Sequence, residues 1–160
     1  RFRAVEDALT AKGITVQKRS SMGSLIDGTP TNAKVLLGDS IGEMNVYYPL
    51  ADLVFVGASL VNHGGHNVVE PMALGKPIVM GPSIYGVAFA AGPAAIDGAL
   101  ESLPNAKALE TRVTALMLNS SSLAQMSAAA KRFISNKTGA ADRTCAGIKA
   151  LLTLSRTDKL

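Results

Sequence analysis

The stretch LVNHGGHNVVEP, residues 60–71, concentrates the residue types that can do chemistry. Both histidines of the chain, His63 and His66, flank Gly64 and Gly65, and Asn67 and Glu70 follow at once. Three chemistries compete for this pattern. The H-x-x-H spacing occurs in metal sites, but here two glycines separate the histidines, and Glu70 is the only acid close by. A structural zinc wants four nitrogen or sulfur ligands, so the pattern argues against a metal. Nucleophilic catalysis is disfavoured too: Ser59 and Cys145 have no base and orienting acid beside them in a recognisable motif. The third chemistry is a backbone cradle for a phosphate. Glycines let main chain approach a ligand, and a helix starting after the loop presents unpartnered N–H groups carrying partial positive charge.

Asn67 stands at or near the expected N-cap, where its side chain either caps the helix or meets a ligand. Glu70, three residues on, occupies the position of a capping-box acid. Alternatively, its carboxylate accepts hydrogen bonds from the paired hydroxyls of a sugar. Both readings stay open on spacing alone. A second glycine loop, GDSIGE (38–43), also ends in an acid. There Asp39 or Ser40 suits a helix cap and Glu43 the helix dipole; the functional alternative is that the turn meets a base or ribose.

The elements that must position these loops follow from periodicity. Phe2, Val5 and Leu9 recur at helical spacing, with Gly13 as the stop. Short strands are expected at 14–18, 33–37, 52–57 and 77–81, with a turn-rich loop over 20–32 and helices over 43–51 and 68–74. The run DLVFVG (52–57) predicts a parallel strand buried on both faces. Residues 86–100 are rich in glycine and alanine and predict no definite element. Residues 107–156 predict two or three helices, with Leu109, Val113 and Leu116 on one stripe. Strand and helix alternate, so the expected fold is α/β, a doubly wound parallel sheet with C-terminal helices. Ligands of such sheets bind at the carboxyl ends of the strands, where the glycine loops fall.

Composition narrows the function further. The 160 residues are 48% hydrophobic and 18% charged, enough for one domain with a packed core and too apolar for disorder. A net charge of +4 suits anionic small molecules or an anionic membrane surface. No basic block with interleaved aromatics points to nucleic acid. The single Cys145 excludes an intrachain disulfide. No apolar run is long enough to span a bilayer. The chain opens inside an amphipathic helix and without methionine, and so reads as a piece of a longer protein.

At these residues the chain resembles a known family. Residues 38–81, GDSIGEMNVYYPLADLVFVGASLVNHGGHNVVEPMALGKPIVMGP, are similar to the C-terminal half of the 3-deoxy-D-manno-octulosonic acid (Kdo) transferases of lipopolysaccharide synthesis. The shared pattern runs G-D-S/T-x-G-E, A-D-x-x-F-V-G-x-S-L, G-G-H-N-x-x-E and G-x-P-V-x-x-G-P. Arg1 and Phe2 match the end of a His-Pro-Glu-Arg-Phe motif. The likeness covers residues 1–85 well and the helical tail loosely.

The resemblance implies the Rossmann-like C-terminal domain of a two-domain GT-B glycosyltransferase. All of residues 1–160 would form the domain that binds the donor CMP-Kdo. Ile41, Gly42 and Glu43 would contact the nucleotide. Asn67, Val68, Val69 and Glu70 would supply a second CMP contact, main-chain N–H groups on the phosphate and Glu70 on the ribose. Gly64, Gly65 and His66 would shape the cradle. The implied reaction moves Kdo from CMP-Kdo to a lipid A precursor without metal or other cofactor. The general base and the membrane-associating, acceptor-facing surface would lie in an N-terminal domain outside this chain, so no residue here is expected to be catalytic. The whole protein would work at the cytoplasmic face of the inner membrane of a Gram-negative bacterium, this portion being soluble. The alternatives are another GT-B protein (a UDP-sugar transferase or epimerase) or a non-catalytic nucleotide-binding module. Three departures stand out: Ala58 where the family often has a second glycine, Val68-Val69 in place of Pro-Leu, and GPSIYGV (81–87) without the usual His and Asn-Phe.

Overall fold

The computed structural model describes residues 1–23 and 32–157. They fall into two compact units, residues 1–47 and 48–160, each with its own parallel sheet.

In the first unit, α1 (Phe2–Thr10) packs on β1 (Val16–Lys18), which pairs in parallel with β2 (Val35–Leu37), Val16 opposite Val35. Gly13 ends the helical segment at φ +68°, a conformation that costs glycine nothing sterically. A single 3-10 turn, Arg19–Ser21, opens the expected 20–32 loop, and residues 24–31 of that loop lie outside the described residues. Helix α2 (Met44–Leu50) follows the GDSIGE turn, and Pro49 sits in its last turn; the boundary between the units falls inside α2.

The second unit is built on the sheet β3 (Val54–Val56), β4 (Ile78–Met80) and β5 (Leu100–Ser102), all parallel and adjacent in that order. The short helix α3 (Val69–Ala73) links β3 to β4, and α4 (Ala88–Ile96) links β4 to β5. Helices α5 (Ala106–Met117), α6 (Ser120–Ser135) and α7 (Ala140–Thr157) complete the chain. Asn105 and Asn119 cap α5 and α6, their side-chain oxygens accepting from Ala108 N–H at 2.9 Å and Ser122 N–H at 3.0 Å.

Side chains alternate across a strand, so β4 feeds two cores. Ile78 and Met80 join Val68, Met72, the small face of α4 (Ala90, Ala91, Ala94) and Phe133 of α6. Val79 points the other way, into Leu109, Val113 and Leu116 of α5 and Met126 of α6. Helices therefore cover both faces of the sheet, as the α/β reading expected.

Two expectations are corrected here. The strand buried on both faces is β4, with all three residues at 0% exposure, and β3 is not: its Phe55 is 45% exposed. Phe55 shares its face with its register partner Val79, but α5 packs on β4, and β3 lies at the edge of the three-stranded sheet. The unassigned segment 86–100 holds α4 and the start of β5. Gly92 and Pro93 weaken any sequence signal for a helix there, yet its alanines allow close packing against β5.

Candidate functional site

The carboxyl end of β3 runs into a loop whose N–H groups from His63 to His66 are all committed to its own chain. Gly65 N–H donates to Ala58 O at 3.1 Å and His66 N–H to Gly57 O at 3.2 Å. Gly64 N–H donates to the Ser83 hydroxyl at 2.9 Å, and His63 N–H to Val61 O at 2.7 Å. Gly64 and Gly65 stand at φ +80° and +75°. A Cβ on Gly64 would lie 2.8 Å from Gly86 N and from the Tyr85 ring, and one on Gly65 would lie 2.8 Å from the Met80 methyl. Gly64 therefore requires glycine for conformation and for space, and Gly65 chiefly for conformation, since the Met80 methyl is the end of a flexible side chain.

Ser59 locks the base of this loop. It is fully buried; its hydroxyl donates to Val56 O at 2.5 Å and accepts from Gly81 N–H at 2.8 Å. Its burial and two partners make it a brace between the ends of β3 and β4, in keeping with its rejection as a nucleophile. Ala58 beside it sits at φ +60°, the one non-glycine residue in the left-handed region among the described residues.

After the loop the helix start is organised by Asn67 and Glu70. Asn67 Oδ1 accepts the N–H of Val69 at 2.9 Å, and its Nδ2 donates to Glu70 Oε1 at 2.7 Å. The backbone N-cap is Val68, one residue later than expected, so Asn67 caps from just outside the helix. Glu70 takes a capping role, but through the side chain of Asn67 rather than through its backbone N–H. Among the described residues, the N–H groups of Val68 and Glu70 meet no acceptor, and Asn67, Val69 and Glu70 are exposed. Nearby, the Tyr48 phenol is pushed up, first by burial and then by the charge of Glu70.

The second glycine loop belongs to the first unit. Gly42 turns the chain at φ +85° and leaves Ile41 95% exposed at the tip. Glu43 is held from three sides: Arg19 Nη2 at 2.9 Å, the Tyr47 hydroxyl at 3.2 Å, and the Ser40 hydroxyl. The bond from Ser40 lowers the Glu43 carboxyl below its usual range, and Tyr47 and Arg19 add to it against the opposing effect of desolvation. Neither Asp39 nor Ser40 caps α2 as expected. Asp39 accepts from Ser20 N–H at 2.8 Å and from its hydroxyl at 2.5 Å, while Ser40 spends its hydroxyl on Glu43.

His63 and His66 are both exposed, and among the described residues no group of three or more His, Cys, Asp or Glu side chains is placed to hold a metal ion. Spacing had not pointed to Arg19, the partner of Glu43, nor to Ser83 and Tyr85, which hold Gly64. These residues lie 19 to 24 positions from their partners, and no periodicity spans such a gap.

Residues 17–133 match the family model described as glycosyl transferases group 1. The chain belongs to that family. Within the group 1 glycosyl transferases, it is 34% identical over 150 residues to the 3-deoxy-D-manno-octulosonic acid transferase of Haemophilus influenzae, covering 89% of this chain and 33% of that protein. Against the enzyme of the same name from Bordetella pertussis it is 35% identical over 145 residues, 90% of this chain and 33% of the relative. The chain thus spans about a third of the length of these curated relatives. Among solved structures, the C-terminal CMP-Kdo binding domain of WaaA from Acinetobacter baumannii superposes with a TM-score of 0.75 at 27% identity, covering 84% of this chain and 68% of that one. Both glycine loops of this glycosyl transferase chain fall inside the matched family region.

Proposed function

We propose that this chain is the donor-binding part of a Kdo transferase and binds CMP-Kdo, the nucleotide-activated sugar acid that the full-length protein transfers to a lipid A precursor. The observation that carries this reading is the likeness, along about nine-tenths of the chain, to proteins named Kdo transferases, joined to the likeness to a solved CMP-Kdo binding domain. In this reading the N–H of the exposed Glu70 holds the donor phosphate, while Val68, fully buried, seats the first turn of α3. The Glu70 N–H lies at the start of α3, where the orphan N–H groups favour an anion. Val69 contributes through the turn it makes with Asn67. Glu70 keeps Oε1 on Asn67 and offers Oε2 to the ribose hydroxyls. When the bond from the sugar to the phosphate breaks, the departing CMP gains charge on that phosphate, and the same Glu70 N–H stabilises it.

In the first unit, the exposed Ile41-Gly42 tip offers main-chain groups to the nucleotide. The Glu43 carboxylate, engaged by Arg19, Ser40 and Tyr47, holds the turn in shape. Gly64, Gly65 and His66 act by shaping, since their N–H groups are already taken. The acceptor, the general base and the membrane contact belong to the rest of the longer protein, acting at the cytoplasmic face of the inner membrane; no described helix of this chain is long and apolar enough to cross a bilayer.

Calorimetric titration of the chain with CMP, UMP and AMP tests the reading. The expected result is a preference for CMP, weakened at least about tenfold by Glu70→Ala and less by Glu70→Gln, which keeps an acceptor for Asn67. Equal binding of all three nucleotides, unchanged by either substitution, would leave Glu70 a helix cap and sink the assignment.

A further inference from the structure

The turn after β4, residues 82–86, meets the glycine loop at several points. Ser83 Oγ accepts the N–H of Gly64 at 2.9 Å. Gly86 N–H donates to Gly64 O at 3.1 Å, so both polar groups of the Gly64 main chain are held by this one turn. The Tyr85 ring lies over the Gly64 Cα, where a Cβ would come within 2.8 Å of it, and the Tyr85 hydroxyl donates to Asn62 O at 3.3 Å. The turn is itself anchored, since Ser83 N–H donates to Ser59 O at 3.0 Å and Ser59 is fully buried.

We infer that Ser83 and Tyr85 are positioning residues for donor binding: they clamp Gly64 and thereby set the loop that delivers Asn67 and Glu70 to the nucleotide. This rests on the donor-binding reading above. Gly64 has wide conformational freedom without a side chain, and it stands three residues before Asn67. Left unclamped, the peptide groups of Gly64 sample several orientations, and only the bonds of Gly65 to Ala58 and of His66 to Gly57 then restrain the approach to α3. A bound phosphate then has to order the loop, which costs affinity. Ser83 touches no ligand in this scheme. Its hydroxyl removes the Gly64 N–H from the set that a phosphate can use and leaves the contact to Glu70.

The test uses the whole chain and three variants. Ser83→Ala is expected to speed hydrogen exchange at the Gly64 amide, shift its NMR resonance and weaken CMP binding about tenfold, with a lowered thermal midpoint but a folded protein at the titration temperature. Ser83→Thr, which keeps a hydroxyl, is expected to regain most of the affinity, a rescue that a general loss of packing does not give. Tyr85→Phe keeps the ring on Gly64 and loses only the bond to Asn62, so a small loss, about twofold, is expected; it also keeps the idea testable if Ser83→Ala folds poorly. CMP binding by the unsubstituted chain that Ser83→Ala leaves unchanged would overturn this inference alone. Failure of the unsubstituted chain to bind CMP would overturn the functional reading and the inference with it.

Discussion

Ala58 carries a conformational cost that its neighbours avoid. Its φ of +60° brings Cβ against the following carbonyl, which costs an L-residue about 1–2 kcal/mol. A glycine there would relieve the strain but give back about 0.5–1 kcal/mol through the greater freedom of the unfolded chain. The expected net effect of Ala58→Gly is a gain of about 0.5–1 kcal/mol, visible as a raised urea midpoint with unchanged slope. No gain would mean that the loop relaxes around Ala58 at no cost. The strain is held in place by Ser59, whose two buried hydrogen bonds tie the end of β3 to Gly81. Leaving Gly81 N–H unsatisfied by removing that hydroxyl would cost more than the strain does.

At the scale of elements, the GDSIGE turn is an electrostatic unit. Asp39 is lowered below its usual range, chiefly by the Ser20 hydroxyl and then by its N–H, and Glu43 is lowered chiefly by Ser40. A carboxyl whose folded value is depressed binds fewer protons in the native than in the unfolded state. Its contribution is complete above the usual carboxylate range and is lost as the pH falls through it. The chain is therefore expected to lose stability on acidification below about pH 4.5, where free carboxylates titrate. Glu43→Gln should flatten that slope without changing it above about pH 6. Urea midpoints from pH 7 to 3 measure it, and identical slopes for both proteins would remove Glu43 from the account. The α3 start works differently. Its helix is a single turn too short to stand on propensity, so Asn67, Glu70 and the burial of Val68 and Met72 hold it.

Across the whole molecule, burial is uneven. Every buried apolar residue among those described lies between Val56 and Phe133, in the second unit, and the described part of the first unit has none. Helix α7 is exposed at each position from Ala140 to Leu152. Opening free energies follow buried contacts, so native-state hydrogen exchange should be slowest in β4 and the middle of α6. It should be faster by about two orders of magnitude or more in α1, β1 and α7, a difference of roughly 3 kcal/mol at 1.4 kcal/mol per decade. Uniform protection along the chain would contradict this. The phosphate contact proposed for Glu70 rests on the packed second unit.

Much of this was legible in the residues themselves. Strand and helix periods placed β4, α5 and the two glycine loops, because those signals are local and repeat within a few residues. The motifs at 38–43 and 64–70 were sufficient to suggest a Kdo transferase likeness, and Gly64 and Gly65 pointed to a backbone free to take positive φ. What remained illegible was every feature set by contacts between distant segments. Only packing decided that Phe55 is left exposed while Val79, on the same face, is covered by α5, since both sit in equally apolar runs. Likewise, no spacing could disclose that Arg19 holds Glu43 or that Ser83 takes the Gly64 N–H. A hydrogen bond has a reach of about 3 Å, and only the folded chain determines which groups come within it.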